Sequence, residues 1–206
     1  MPLATWGWEA TARMPEAVAD VLIPDEILVG LARDGQADAR EELFRRHFAI
    51  AHRVAYRLLG QEEDAQDAVQ EGYLKALRHL GDFDGRSGFR TWLLKIVTNS
   101  ALDSGRKRRR RPAMRIEDAE IGGAEIATHE DPAVGLHRED LKKTLYAALD
   151  KLSPTLRATF VLFAEAEMSY KEIAAALDIP PGTVMSRLHQ ARQKLQGWLE
   201  GVEGIS

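Results

Sequence analysis

Apolar residues recur every three or four positions along most of the chain, the spacing that lines one face of an α-helix. The first such stretch opens at Pro24-Asp25-Glu26 and is broken by Asp34-Gly35. A second helix is predicted over residues 37–59, with Leu43, Phe44, His47, Ala51, Val54, Ala55 and Leu58 on one face and Gly60 as its stop. A third, over 62–80, carries Ala65, Val69, Tyr73, Ala76, Leu77 and Leu80. The turn-forming residues from Gly81 to Gly88 follow. A fourth helix begins near Phe89, places Trp92, Leu93, Ile96, Val97, Ala101 and Leu102 inward, runs into a string of arginines and stops at Pro112. Glycine in a helix interior costs about 1 kcal/mol, so Ser104-Gly105 predicts a bend in that helix.

From Ala113 to Gly135 the period disappears and Gly122-Gly123 and Pro132 intervene. Helices are predicted again over residues 136–151, 153–166, 169–177 and 181–199, and no stretch reads as a strand of useful length. The expected architecture is all-α: two small helical domains joined by a flexible acidic linker, the C-terminal one a helix-turn-helix. The boundaries fall at 1–23 for an extension without period, 24–112, a linker over 113–135, and 136–206. Separate cores are expected, with Phe44, Tyr73, Phe83, Phe89 and Trp92 in the first domain and Leu152, Phe160, Ile173 and Leu195 in the second.

The 206 residues suit one medium or two small domains. Zero cysteines exclude a disulfide framework, a thiolate metal site and a cysteine nucleophile. No apolar run approaches a membrane span and the N-terminus lacks signal-peptide character, so a cytoplasmic protein without membrane insertion is expected. The net charge is −4, but its distribution matters more. Between Arg86 and Arg111 nine cations face one acid, Asp103, while 116–131 holds six acids and no Lys or Arg. The basic block creates a local field that attracts nucleic acid.

Near the C-terminus, Tyr170, Ile173, Ala174 and Leu177 form one stripe and Val184, Leu188, Ala191 and Leu195 another, joined by Asp178-Ile179-Pro180-Pro181-Gly182. Two stripes packed across so short a connection form a helix-turn-helix. Ser169 with Glu172 is a capping box that starts its first helix. The outer face of the second helix presents Thr183, Ser186, Arg187, Gln190 and Lys194, with Arg192 at its edge and no acid. Such a helix fits the major groove, where Arg addresses guanine and Gln adenine. Met185 sits nearer the edge, toward the groove wall or a thymine methyl. In the fourth helix, the aromatic, polar and basic residues from Phe89 to Asp103 lead into Lys107, Arg108, Arg109, Arg110 and Arg111. Adjacent cations repel one another unless a polyanion screens them, so phosphate contact is expected. Asp84, Arg86 and Ser87 in the preceding loop are placed to receive an unstacked base.

The runs Asp64-Ala65-Gln66-Asp67-Ala68-Val69-Gln70-Glu71, Phe89-Arg90-Thr91-Trp92-Leu93, Asn99-Ser100-Ala101-Leu102-Asp103, Leu152-Ser153-Pro154, Ser169 to Ala174 and Pro181 to Arg192 together resemble bacterial sigma factors of the extracytoplasmic-function group. The resemblance covers Pro24 to Leu199. It implies a factor that joins core RNA polymerase and directs it to promoter DNA. By that likeness, Asp64, Asp67, Gln70 and Glu71 dock on polymerase. Asp84, Arg86, Ser87, Arg90, Trp92, Lys95, Asn99, Asp103 and the residues Lys107 to Arg111 melt and hold the minus-ten element. The recognition helix reads the minus-thirty-five element through Thr183, Ser186, Arg187, Gln190, Arg192 and Lys194. An anti-sigma protein is a further partner the family implies. Met185 and Gln190 depart from the Lys or Arg common at those family positions, which weakens the phosphate grip. The alternative is a helix-turn-helix regulator acting without polymerase.

No catalytic chemistry is expected. His47, His52, His79, His129, His137 and His189 form no metal-ligand spacing, no Walker or dinucleotide loop occurs, and no His is placed to activate a nucleophile. Neither a metal nor a cofactor is expected.

Overall fold

A computed structural model describes residues 23–110 and 144–200, and of Arg109 and Arg110 the backbone alone. The expected linker over 113–135 and residues 1–22 of the expected extension over 1–23 lie outside the described residues. Among the described residues all regular structure is helical, and no helix is long and apolar enough to cross a membrane. The helices are α1 (Asp25–Arg33), α2 (Ala37–Leu59), α3 (Glu62–Arg78), α4 (Phe89–Arg110), α5 (144–150, within the predicted 136–151), α6 (Pro154–Ala164), α7 (Tyr170–Leu177) and α8 (Pro181–Glu200).

Local chemistry fixes most boundaries. Gly60 closes α2 in the left-handed conformation, φ 73°, and its N–H bonds the Tyr56 carbonyl. Glycine adopts that conformation without the Cβ penalty. The third helix stops at Arg78, short of the predicted Leu80, because Leu80–Asp82 tighten into a 3₁₀ turn. Ser153 and Ser169 stand at the N-caps of α6 and α7, outside the helices they begin. The Ser169–Glu172 capping box forms in both directions. Asp178 turns left-handed (φ 53°) and the Ile179 N–H reaches the Ala174 carbonyl at 3.0 Å, which reverses the chain between α7 and α8.

Ser104-Gly105 does not interrupt α4, whose helical run is unbroken from Phe89 to Arg110. Gly105 is half-buried, and a Cβ there would lie 3.5 Å from Leu59 Cδ2. Packing against the end of α2 offsets the low helix propensity of glycine.

The separate cores expected for the two halves are not observed. Helices α2, α3 and α4 pack against one another with α1 across α2, while α6 and α7 of the C-terminal half rest on α2 and α4. One buried cluster therefore runs from Leu28 through Leu43, Val54, Leu93 and Val97 to Val161, Leu162, Ile173, Val184 and Leu188. A smaller cluster, Ala148, Leu149, Leu152, Leu156, Ala191 and Leu195, seals the far side of the C-terminal half, with Phe160 touching both. The expected aromatic core of the first half does form: Phe44 lies 4.8 Å from Tyr73 and 5.7 Å from Phe89, which lies 5.7 Å from Trp92.

Candidate nucleic-acid and polymerase interfaces

Successive residues of an α-helix are rotated by about 100°, so α4 divides into three faces. Phe89, Leu93, Val97, Ser100 and Ala101 are buried and share the side toward α2 and α3. On the outer side Trp92, Lys95, Asn99 and Asp103 follow one another at three- and four-residue steps; Asn99 and Asp103 are exposed and Trp92 and Lys95 half-exposed. Four of the residues expected at the minus-ten element thus lie on a single stripe. Arg90 does not join them. It sits about 200° from Trp92, and its guanidinium donates to the Ala166 carbonyl. Beside it Thr91, 4% exposed, donates its hydroxyl to Glu172 Oε1 at 2.7 Å. These contacts join the two halves of the chain. The Thr91 hydroxyl, followed by the Ser169 N–H and hydroxyl, holds the Glu172 carboxyl below its ordinary pKa, because each donor favours the ionised form.

The loop before α4 is tied from behind. Arg33 donates to the carbonyls of Leu80, at 3.0 Å, and Phe83, and its guanidinium lies 5.9 Å from the centre of the Phe83 ring. Asp84 accepts the Arg86 N–H at 3.0 Å and pairs with its guanidinium, while Gly85 turns left-handed at φ 72°. Asp84 and Arg86 are exposed and Ser87 half-exposed at the tip. Sequence reading did not single out Arg33, since nothing local to α1 shows that its partners are about fifty residues away.

The basic run is not uniform. Arg106 pairs with Asp103 at 3.0 Å, and Lys107 is exposed. Arg108 pairs with Asp64 and donates to the Leu59 carbonyl at 3.2 Å, which caps the end of α2. Two residues expected to touch different partners, Arg108 for DNA and Asp64 for polymerase, are thus bound to each other. Arg111 lies outside the described residues. Replacing Arg109, Arg110 and Arg111 together by Ala is expected to reduce the slope of log K against log salt by roughly 0.9 per lost duplex phosphate contact. Arg108→Ala alone should instead cost about 1 kcal/mol of stability, as an exposed ion pair and one carbonyl bond are lost, and leave the slope nearly unchanged. Salt titration of promoter binding alongside urea melts checks both; equal slope changes for the two variants would make Arg108 a phosphate contact.

On α3 the expected docking residues Asp67 and Gln70 are exposed. Glu71 is partnered: Lys75 lies 2.8 Å from its carboxylate, lowering its pKa chiefly by that hydrogen bond, and also donates to Ser100 of α4. Leu74, one turn beyond Gln70, is 46% exposed, and Phe48 of α2 is 50% exposed against Tyr73 and stacked on His52. Leu77, placed inward by the sequence pattern, faces out. The acidic stripe of α3 therefore adjoins exposed apolar side chains that sequence reading missed, because a helix with six or more apolar residues does not reveal which of them the fold leaves uncovered.

The recognition helix behaves as its pattern predicts. Val184, Leu188, Ala191 and Leu195 are buried, Ser186, Gln190 and Lys194 exposed, and Thr183 and Arg187 half-exposed. Ser186 also donates to the Thr183 carbonyl at 3.0 Å. Arg192 is exposed, but its guanidinium lies 5.1 Å from the Phe163 ring, which gives it a packing role against α6. Met185 is 58% exposed. Among the described residues no cluster of His, Asp or Glu could hold a metal ion.

Residues 43–111 match the family described as Sigma-70 region 2 and residues 142–195 the one described as Sigma-70, region 4. The chain is 39% identical over 160 residues to the ECF RNA polymerase sigma factor SigE of Mycolicibacterium smegmatis, covering 77% of this chain and 61% of that protein. It is 32% identical over 181 residues to the RNA polymerase sigma-H factor of Pseudomonas aeruginosa, covering 85% of this chain and 94% of that one. The chain belongs to the sigma-70 family, in its extracytoplasmic-function group. It is thus a sigma factor of promoter-specific transcription initiation and not an enzyme. Among solved structures it resembles CnrH in complex with the cytosolic domain of CnrY (TM-score 0.64, 28% identity, 87% of this chain and 99% of that one). It also resembles RpoE in complex with the anti-sigma factor NepR from Bartonella quintana (TM-score 0.62, 27% identity, 81% of this chain and 99% of that one). A regulator working by duplex binding alone has no need of the region 2 unit, so the alternative is set aside.

Proposed function

We propose that three surfaces divide the work of this sigma factor. Asp67 and Gln70, with Leu74 and Phe48 as apolar anchors, dock on core RNA polymerase. The α4 stripe Trp92, Lys95, Asn99 and Asp103, the loop residues Asp84, Arg86 and Ser87, and the basic residues Lys107, Arg109, Arg110 and Arg111 hold the minus-ten strand. The face of α8 formed by Thr183, Ser186, Arg187, Gln190 and Lys194 reads the minus-thirty-five duplex. The observation that carries this reading is the segregation of α4: its outer stripe keeps aromatic, amide, acidic and cationic groups available while two other faces are buried. Asp64, Glu71, Arg90, Arg108 and Arg192 are reassigned to internal contacts. The likeness to two sigma factors solved with CnrY and NepR supports an anti-sigma protein as a second partner of this chain.

Docking is tested by Asp67→Arg combined with Leu74→Ser. Both side chains lie off the buried stripe of α3, so the helical circular dichroism should be unchanged. Reversed charge at a complementary interface costs several kcal/mol, and the expected result is a loss of core polymerase binding of at least roughly a hundredfold. Glu71 is not a suitable target, since its reversal would also break the Lys75 bridge to α4. Polymerase binding at wild-type strength by the folded double variant would remove the docking assignment.

A further inference from the structure

Among the described residues of α8, Met185 is the one large apolar side chain that the fold leaves exposed, at 58%. Lone apolar residues are common on protein surfaces and carry no message by themselves. Here the surroundings do. Counted at about 100° per residue, Met185 stands about 90° from the middle of the buried stripe of Val184, Leu188, Ala191 and Leu195. Gly182, Ser186 and His189 lie within about 100° of it on the side away from that stripe, and all three are exposed. Gly182 has open space where a Cβ would stand, so the turn before Met185 presents bare backbone. Recognition helices touch base edges with the residues of their N-terminal turns, and Met185 is the fifth residue of α8.

In the major groove guanine, cytosine and adenine present hydrogen-bond donors and acceptors, and thymine alone adds an apolar group, its C5-methyl. The thioether of Met185 has no donor and is a weak acceptor. Over a polar base edge it would displace water without replacing the lost hydrogen bonds. Over a methyl group it buries apolar surface instead, and its rotatable bonds let it adapt to the contact. We infer that Met185 is a specificity-determining residue for the upstream element, selecting one thymine by its C5-methyl group. The inference rests on the reading of α8 as the minus-thirty-five reader and names the chemical group that one of its positions takes. Hydrogen bonds from Arg187 or Gln190 do not sense that methyl, because thymine and uracil offer them the same O4 acceptor.

Replacing thymine by deoxyuridine deletes the methyl and keeps every hydrogen-bonding group. Holoenzyme assembled from core polymerase and the full-length chain is bound to its preferred upstream element, and each thymine on either strand is changed to deoxyuridine in turn. At one position the wild type should lose about fourfold in affinity, the worth of one buried methyl group at roughly 0.8 kcal/mol. Met185→Ala, its thermal melt unchanged, should bind thymine and deoxyuridine equally at that position. The wild type should also prefer 5-methylcytosine to cytosine there and Met185→Ala should not, which separates a methyl contact from an altered duplex shape. Met185→Lys, which keeps the length of the side chain and adds a charge, should lose the methyl preference while the salt dependence of binding rises. The methyl contact is overturned if no deoxyuridine weakens the wild type, or if Met185→Ala loses as much as the wild type at every position; base reading by α8 then still stands. Wild-type holoenzyme that binds the preferred and a scrambled upstream element alike overturns both.

Discussion

Gly72→Leu is expected to unfold the N-terminal helical unit. A Cβ built on Gly72 would lie 2.9 Å from Val97 Cγ2 and 3.1 Å from Val97 Cα, the latter a backbone atom of α4 that no rotamer change can move. Gly72 is therefore a point of close approach between α3 and α4, where the two helices meet backbone to backbone. Overpacking by even a few methylenes costs about 1–3 kcal/mol, and a whole isobutyl group with a fixed backbone obstacle should exceed that, a large part of a stability that is ordinarily about 5–15 kcal/mol. The milder Gly72→Ala separates two opposing effects. Alanine is favoured in a helix interior by about 1 kcal/mol, yet the clash should win and leave the variant destabilised by about 1–2 kcal/mol. Adding Val97→Ala removes the Cγ2 obstacle but not Cα, so the double variant should fall short of additivity. Urea melts of wild type, Gly72→Leu, Gly72→Ala, Val97→Ala and the double variant, reading midpoint and slope, decide it. If Gly72→Ala raises the midpoint, the helices can part at no cost and the close approach does not govern the packing.

Gly72 also illustrates what the sequence could not show. Within α3 a lone glycine reads only as a weak spot in the helix; that it permits contact depends on α4, twenty-five residues on. The helices themselves were legible, because their apolar stripes extend over many turns and their ends carry local signals such as Gly60, Ser153 and the Ser169–Glu172 box. The buried stripe of α8, Val184, Leu188, Ala191 and Leu195, was legible for the same reason, while the packing of Arg192 on Phe163 was not. Helix α4 was not. It is buried on two sides, so a single-stripe reading placed Thr91 and Thr98 nowhere and grouped Arg90 with Trp92 despite the rotation between them. The internal partners of Asp64, Glu71 and Arg108 were not legible for a related reason. Charged residues on a helix surface look alike in sequence, whether they await a partner molecule or already hold Lys75, Leu59 or one another. What separates them is pairing across helices, which has no period.

Arg187→Ala and Leu188→Ala, adjacent in sequence, are expected to fail in opposite ways. Leu188 is 1% exposed between Val184 and Ala191, both fully buried, and its truncation should cost about 2–5 kcal/mol through lost transfer energy and a residual cavity. The helix-turn-helix has few large residues to compensate, since Ala174 and Ala191 supply the close approach of its helices. The variant should melt early and lose promoter binding at every sequence alike. Arg187, half-exposed on the other side of the same turn, should leave the melt unchanged within about 0.5 kcal/mol, as surface changes usually do. If its guanidinium grips a base edge in the major groove, Arg187→Ala should cost about 1–3 kcal/mol on the best upstream element and much less on scrambled duplex. Exposed Met185 and Gln190 beside it are apolar and neutral, so discrimination on this face depends heavily on Arg187, and its loss should relax preference at one or two adjacent positions. The measurement is selection from a library randomised over the upstream element, using holoenzyme assembled from core polymerase and the full-length chain, with thermal melts of both variants in parallel. A selected sequence and discrimination ratio identical to wild type for Arg187→Ala would reduce Arg187 to a backbone contact or a bystander. A normal melt for Leu188→Ala would mean that the domain closes over the cavity, and that the exposed face of α8 is held by packing other than the stripe that defines it.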